Sequence, residues 1–119
     1  AAAKRHRPLL VSIAAGVREP DIRSWLGYDA AIVRTMPNTP ALVGSGATAL
    51  FANPFVSTEE QNRAQAILDA VGITLWVDDE QLLDAVTAVS GSGPAYCFLL
   101  MELMTTLFQY HSFPSLQFR

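Results

Sequence analysis

Two glycine-rich stretches are the places in this sequence where backbone N–H groups could cradle a phosphate: Gly44-Ser45-Gly46 and Gly91-Ser92-Gly93. A phosphate loop follows a strand and opens onto a helix whose first free N–H groups face the ligand. Gly91-Ser92-Gly93 instead follows a helical pattern, and Gly44-Ser45-Gly46 precedes a strand pattern. Neither has a third glycine at the spacing of a dinucleotide fingerprint. Residues 90–94 read better as a joint: Gly91 ends one helix, Ser92 or Gly93 caps the next, and Pro94 takes its first turn.

The other chemistry-bearing side chains are sparse. Asp78, Asp79 and Glu80 are consecutive, which suits the positive end of a helix better than an acid–base dyad. Ser90 and Ser92 have no histidine placed to activate them. Cys97 is the single cysteine, so no intramolecular disulfide can form and a reducing compartment is expected. Within its apolar neighbourhood it reads as a buried side chain. His6 and His111 lie far apart without a second ligand at metal spacing, so no metal site is expected. From these residues alone no catalytic side chain is assigned.

Charge excludes further classes. The net charge of −3 gives no footing for nucleic-acid or membrane-surface binding, and Lys4, Arg5 and Arg7 read as a solvated helix end. The opening AAAKRHRPLL has its charges before only a brief apolar run, which is no secretory signal, and a cytoplasmic location is expected. With half of its 119 residues hydrophobic and 16% charged, the chain should bury a core.

The elements that must position any site follow from periodicity. PLLVSIAAG (8–16), AAIVRTM (30–36), ATALFAN (47–53) and ITLWV (73–77) read as buried strands. EPDIRSWLG (19–27) reads as a short helix, with Pro20 and Asp21 in its first turn and Gly27 as its stop. Ser57 or Thr58 with Glu60 or Gln61 forms a capping box for a helix whose stripe is Ala64, Ile67, Leu68 and Val71, ended by Gly72. A further helix opens at Asp78–Glu80 and turns Leu82, Leu83, Val86 and Val89 inward. The run from Ala95 to Met101 is wholly apolar, too short to span a bilayer, and predicts a helix buried on all sides. Apolar strands alternating with amphipathic helices predict an α/β doubly wound parallel sheet covered on both faces.

In this order SIAAGV (12–17), VRTMPNTPALVGSGATAL (33–50), AVGITLWVDDEQLLDAVTAVSGSGPAY (70–96) and FLLMEL (98–103) resemble the central part of pyrroline-5-carboxylate reductase. The resemblance runs from about Leu9 to Leu103 without gaps, with several independent motifs in register. It implies a partial Rossmann-like sheet (residues 1–80) followed by the first helix of an all-α dimerisation domain (residues 81–119). The activity it implies is reduction of the C=N bond of 1-pyrroline-5-carboxylate to proline by NADPH or NADH, in a homo-oligomer. It also implies that Ile13, Ala14, Ala15 and Gly16 lie beside the nicotinamide. Small side chains after a parallel strand let a flat ring approach the backbone, which agrees. Pro37 and Asn38 would form the next loop, Asn38 either offering its amide near the ring or, with Thr39, satisfying a turn.

Two departures qualify that resemblance. The family's first βα unit with its glycine fingerprint is not found ahead of Leu9, so the chain alone is expected to lack the reaction. After Leu103 the stretch MTTLFQYHSFPSLQFR, with Phe108, Tyr110, Phe113 and Phe118 crowded around Pro114, reads as an unrelated extension. The alternative is a non-catalytic remnant or partner-binding module of the same fold.

Overall fold

The computed structural model describes residues 7–111. Lys4, Arg5, His6, Phe113, Pro114 and Phe118 lie outside them. Four strands form one sheet in the order β1 (Leu10–Ser12), β2 (Ile32–Met36), β3 (Gly46–Ala52) and β4 (Gly72–Trp76). The helices are α1 (Glu19–Leu26), α2 (Thr58–Asp69), α3 (Leu82–Val86) and α4 (Gly93–His111).

The sheet is mixed, not parallel throughout as expected: β1–β2 and β3–β4 are parallel, but β2–β3 is antiparallel. Connection length explains this. The links after β1 and β3 each contain a helix, the crossover that parallel neighbours need. The link from Met36 to Gly46 holds only a 3-10 turn, Thr39–Val43, so the chain doubles back.

β2 is buried along its whole length, and its alternate residues feed both faces. Ile32 packs with Ile22 and Ala30 of the α1 region. Met36, on the same face, packs with Ala49 and with Leu83 of α3. Val33 turns the other way, to Leu50 and to Ala64 of α2. Helices therefore lie on both faces, but coverage fails at β4, where Ile73 and Leu75 are exposed. Ile67, placed on the apolar stripe of α2, is also exposed; Ala64 is the buried residue of that helix, with Leu68 packed beside it.

The helix boundaries follow local chemistry. α1 has Pro20 in its first turn and stops at Gly27. The α2 capping box is complete: Ser57 Oγ accepts from the Glu60 amide at 3.3 Å, and Glu60 Oε2 accepts from the Ser57 amide at 2.9 Å. Gly72 does not cap α2, which closes at Ala70; Gly72 opens β4 opposite Gly46. A Cβ on Gly72 would lie 2.0 Å from the Gly46 carbonyl oxygen, so no larger residue fits.

Gly91 does not end a helix either. α3 runs through a widened π turn, Thr87–Ser92, directly into α4. Proline lacks an N–H, and a wider turn loosens the hydrogen-bond register just before Pro94. Thr87 Oγ1 bonds back to the Leu83 carbonyl at 2.7 Å in the turn before it. α4 continues past Leu103 to His111 as regular helix.

Among the described residues, nothing covers α4. Phe98, Leu100, Leu103, Leu107 and Phe108 are all more than half exposed, as is Tyr96, and Cys97 is exposed too, against the expected burial. Leu82 in α3 and Val89 in the π turn, both expected to face inward, are exposed as well. The radius of gyration, 20.2 Å, exceeds the roughly 13–14 Å of a compact chain of this length.

Candidate functional site

β1 and β2 are parallel neighbours, with Ser12 opposite Arg34, so the loops that follow them leave the same edge of the sheet. The structure thereby brings Ile13–Gly16 and Pro37–Asn38 to one side, the carboxyl edge where α/β sheets hold ligands. Ile13, Ala14, Ala15 and Gly16 are exposed there, while Pro37 and Asn38 are half-buried. Gly16 has φ 74°, which only glycine adopts without strain, and a Cβ there would meet nothing within 4 Å. Backbone conformation, not crowding, requires that glycine, and open space lies over the loop.

Asn38 is held at both ends of its amide. Its Oδ1 accepts from the Ala47 amide at 2.9 Å, and its Nδ2 donates to Ser90 Oγ at 3.2 Å. The side chain thus ties the turn after β2 to the start of β3 and to the π turn. One Nδ2 hydrogen remains beyond these two bonds.

A buried polar network, not anticipated from the sequence, stands behind the first loop. Arg34 is 2% exposed, between the apolar Ile32 and Met36 on one face of β2. Its Nη1 donates to Glu80 Oε1 at 2.8 Å and its Nη2 to the Ala14 carbonyl at 3.4 Å. Glu80 Oε1 also accepts from the Glu19 amide at 2.6 Å, at the start of α1. Glu19 in turn accepts from Asn53 Nδ2 at 2.8 Å, and Asn53 Oδ1 accepts from the Ile32 amide at 3.1 Å. Thr35 Oγ1 donates to the Ser12 carbonyl at 3.2 Å. Glu80, read as a helix-start acid, therefore points into the fold; Asp79 takes the local role, accepting from the Gln81 amide at 2.9 Å. A charge within an otherwise apolar strand, Arg34 in AAIVRTM, was the available signal.

Among the described residues no helix is long and apolar enough to cross a membrane.

Residues 80–115 match the family described as pyrroline-5-carboxylate reductase dimerisation, so the match continues past Leu103 into the stretch expected to be unrelated. The chain is 55% identical over 105 residues to the pyrroline-5-carboxylate reductase of Pseudomonas aeruginosa, covering 88% of this chain and 38% of that protein. Among solved structures, the Coxiella burnetii pyrroline-5-carboxylate reductase matches 94% of this chain at 43% identity with a TM-score of 0.79, over 42% of its own length. The Plasmodium falciparum pyrroline carboxylate reductase with NADP bound matches 88% at 32% identity and a TM-score of 0.77, again over 42% of its own length. In sequence and fold, this chain is similar to one section of pyrroline-5-carboxylate reductases, spanning about a third of the length of the curated relatives it matches.

Proposed function

We propose that this chain serves the NAD(P)H-dependent reduction of 1-pyrroline-5-carboxylate to proline, with Ile13, Ala14, Ala15, Gly16, Pro37 and Asn38 on the nicotinamide side. The observation that carries the reading is the shared carboxyl edge: two loops of small or rigid residues leave β1 and β2 together. Reduced nicotinamide, when bound, supplies the hydride. The chain's own part is geometric. Ala14 and Ala15 leave room for a flat ring against the backbone, Gly16 turns the chain away from it, and Ile13 offers an apolar surface. The remaining Asn38 N–H is a donor at the edge of that space, on a side chain already fixed by Ala47 and Ser90. A cyclic imine takes up a proton readily near neutral pH, so this edge needs no strong acid.

Residues 80–115 add an assembly role: α4 exposes one long apolar helix, which supports pairing with a second copy.

The test is an assay of the whole gene product with 1-pyrroline-5-carboxylate and NADPH or NADH, following coenzyme oxidation and proline together. Matched oxidation and proline formation are expected; absence of both with either coenzyme overturns the reading. Ala15→Leu should raise KM for the coenzyme about tenfold by filling the ring's approach, with kcat far less changed.

A further inference from the structure

We infer that Arg34 is a positioning residue for the Ile13–Gly16 loop, anchored by Glu80. The cofactor side of this inference rests on the function proposed above; the structural side does not. A guanidinium 2% exposed is a costly group to bury unless it is paired and hydrogen-bonded. Here one end of its fork meets the Glu80 carboxylate at 2.8 Å, and the other reaches the Ala14 carbonyl at 3.4 Å. The charge pair fixes the guanidinium plane, and the plane then sets where Ala14 lies. Successive residues of β2 point to opposite faces, and Thr35 holds the Ser12 carbonyl at 3.2 Å. Two adjacent β2 side chains thus grip two carbonyls at the exit of β1.

Glu80 is held in its turn. It is only 17% exposed and also accepts from the Glu19 amide at 2.6 Å, so it joins α1 to the segment that leads into α3. Glu80 is also the first residue of the stretch matching the dimerisation family. A single guanidinium therefore bridges that segment to the loop at the sheet edge. Lysine cannot substitute for it: an ammonium is a point donor on a flexible stem, whereas the planar fork serves two partners from one fixed position.

The experiment compares the full 119-residue chain with its Arg34→Lys and Glu80→Gln variants by amide hydrogen exchange. Exchange at the loop amide that is held, Ala14 N–H on Ser12 Oγ at 3.3 Å, and at the β1 amide of Leu10 on the Ala31 carbonyl should rise about tenfold in Arg34→Lys, while amides of α2 around Ala64 stay unchanged. Glu80→Gln, which keeps the guanidinium but weakens its anchor, should loosen the same amides to a smaller degree. If Arg34→Lys unfolds the chain, seen as exchange throughout α2, Glu80→Gln decides. Unchanged loop exchange in a folded variant overturns the inference, as does a wild-type chain whose α2 amides are unprotected.

The same substitutions in the whole gene product separate this inference from the functional reading. Arg34→Lys should raise KM for NADPH about tenfold with kcat nearly unchanged, a split that general destabilisation would not give. Loosened loop amides with an unaltered KM would overturn the cofactor role of Arg34 while leaving the reductase reading intact. A wild-type product without reductase activity would overturn that reading and the cofactor role together; loop exchange would then decide the structural half alone.

Discussion

α2 and α4 are both helices, yet they meet opposite fates. α2 is mostly polar, has a complete capping box at Ser57 and Glu60, and buries one small residue, Ala64, against Val33 and Leu50. α4 is longer and far more apolar, but its phenylalanines and leucines face water in the isolated chain. Burial of a Leu or Phe side chain is worth about 1.5–3 kcal/mol, so α4 leaves several such contributions unrealised. A helix can thus be specified by its ends and a narrow contact, or by an apolar surface that only another molecule or segment can cover. The first kind stabilises the fold that carries it. The second leaves its surface for other cover, which in the pairing proposed above is a second copy.

The sharpest way to break that contrast is to charge α4. Leu100 and Leu103 lie three residues apart on one helix face, and both are exposed. Replacing both by Lys should abolish self-association, seen as a fall to the mass of a single chain in sedimentation or light scattering. The thermal transition of the sheet should persist at low protein concentration. Self-association unaltered by the two lysines would mean that α4 is not the assembly surface.

The contact beneath α2 should respond in the other sense. Leu50 is fully buried in the cluster with Val33 and Ala64. Leu50→Ala is expected to cost about 2–5 kcal/mol of unfolding free energy, through lost burial and the cavity left behind. Because the contact lies within one chain, that loss should not depend on protein concentration, which denaturant titration at two concentrations would check.

These differences also mark how far the sequence could be read. Both ends of α1 and the start of α2 were legible because Pro20, Gly27 and the Ser57–Glu60 pair act locally; the end of α2 was not, because Gly72 serves the close approach of β4 to Gly46. The antiparallel turn of β2 into β3 was not, because strand direction depends on what a connection can reach, and apolar strands look alike in either direction. The continuous helix through Gly91 and Pro94 was missed for a related reason: glycine and proline argue for a break, and a π turn absorbs them without one. At the candidate site, the loop residues were named through resemblance, and their placement at one edge follows from the β1–β2 register. Arg34 was overlooked because a charge inside an apolar strand has no periodic signature; its meaning comes from Glu80, forty-six positions away in the chain. Burial of Cys97 failed with the rest of α4, since composition describes a helix's need for cover and not who supplies it.

The two smaller predictions sharpen the α2 side. Ser57→Ala removes the hydroxyl that accepts from the Glu60 amide and should cost about 1 kcal/mol, measured by denaturant unfolding. No effect on self-association is expected, because α2 owes its stability to its cap and the sheet.

The last is a pH effect. The Ser57 backbone N–H donates to the Glu60 carboxylate at 2.9 Å, and the Ser57 hydroxyl approaches it at 2.8 Å. These bonds, the backbone one first, hold the Glu60 carboxyl below its ordinary value of 4.5. Because the folded state favours the ionised form, this contribution is present above the unfolded value and is lost as pH falls through the lowered folded one. Stability should therefore drop on acidification below about pH 4.5 more steeply in wild type than in Glu60→Gln, which cannot titrate there. The difference should be smaller than the Ser57→Ala loss, since the carboxylate lies near solvent and is well screened. Parallel acid titrations of the two proteins, monitored by unfolding midpoint, check the sign. Identical slopes would show that the box stabilises α2 through neutral hydrogen bonds alone, so that the charge on Glu60 adds nothing.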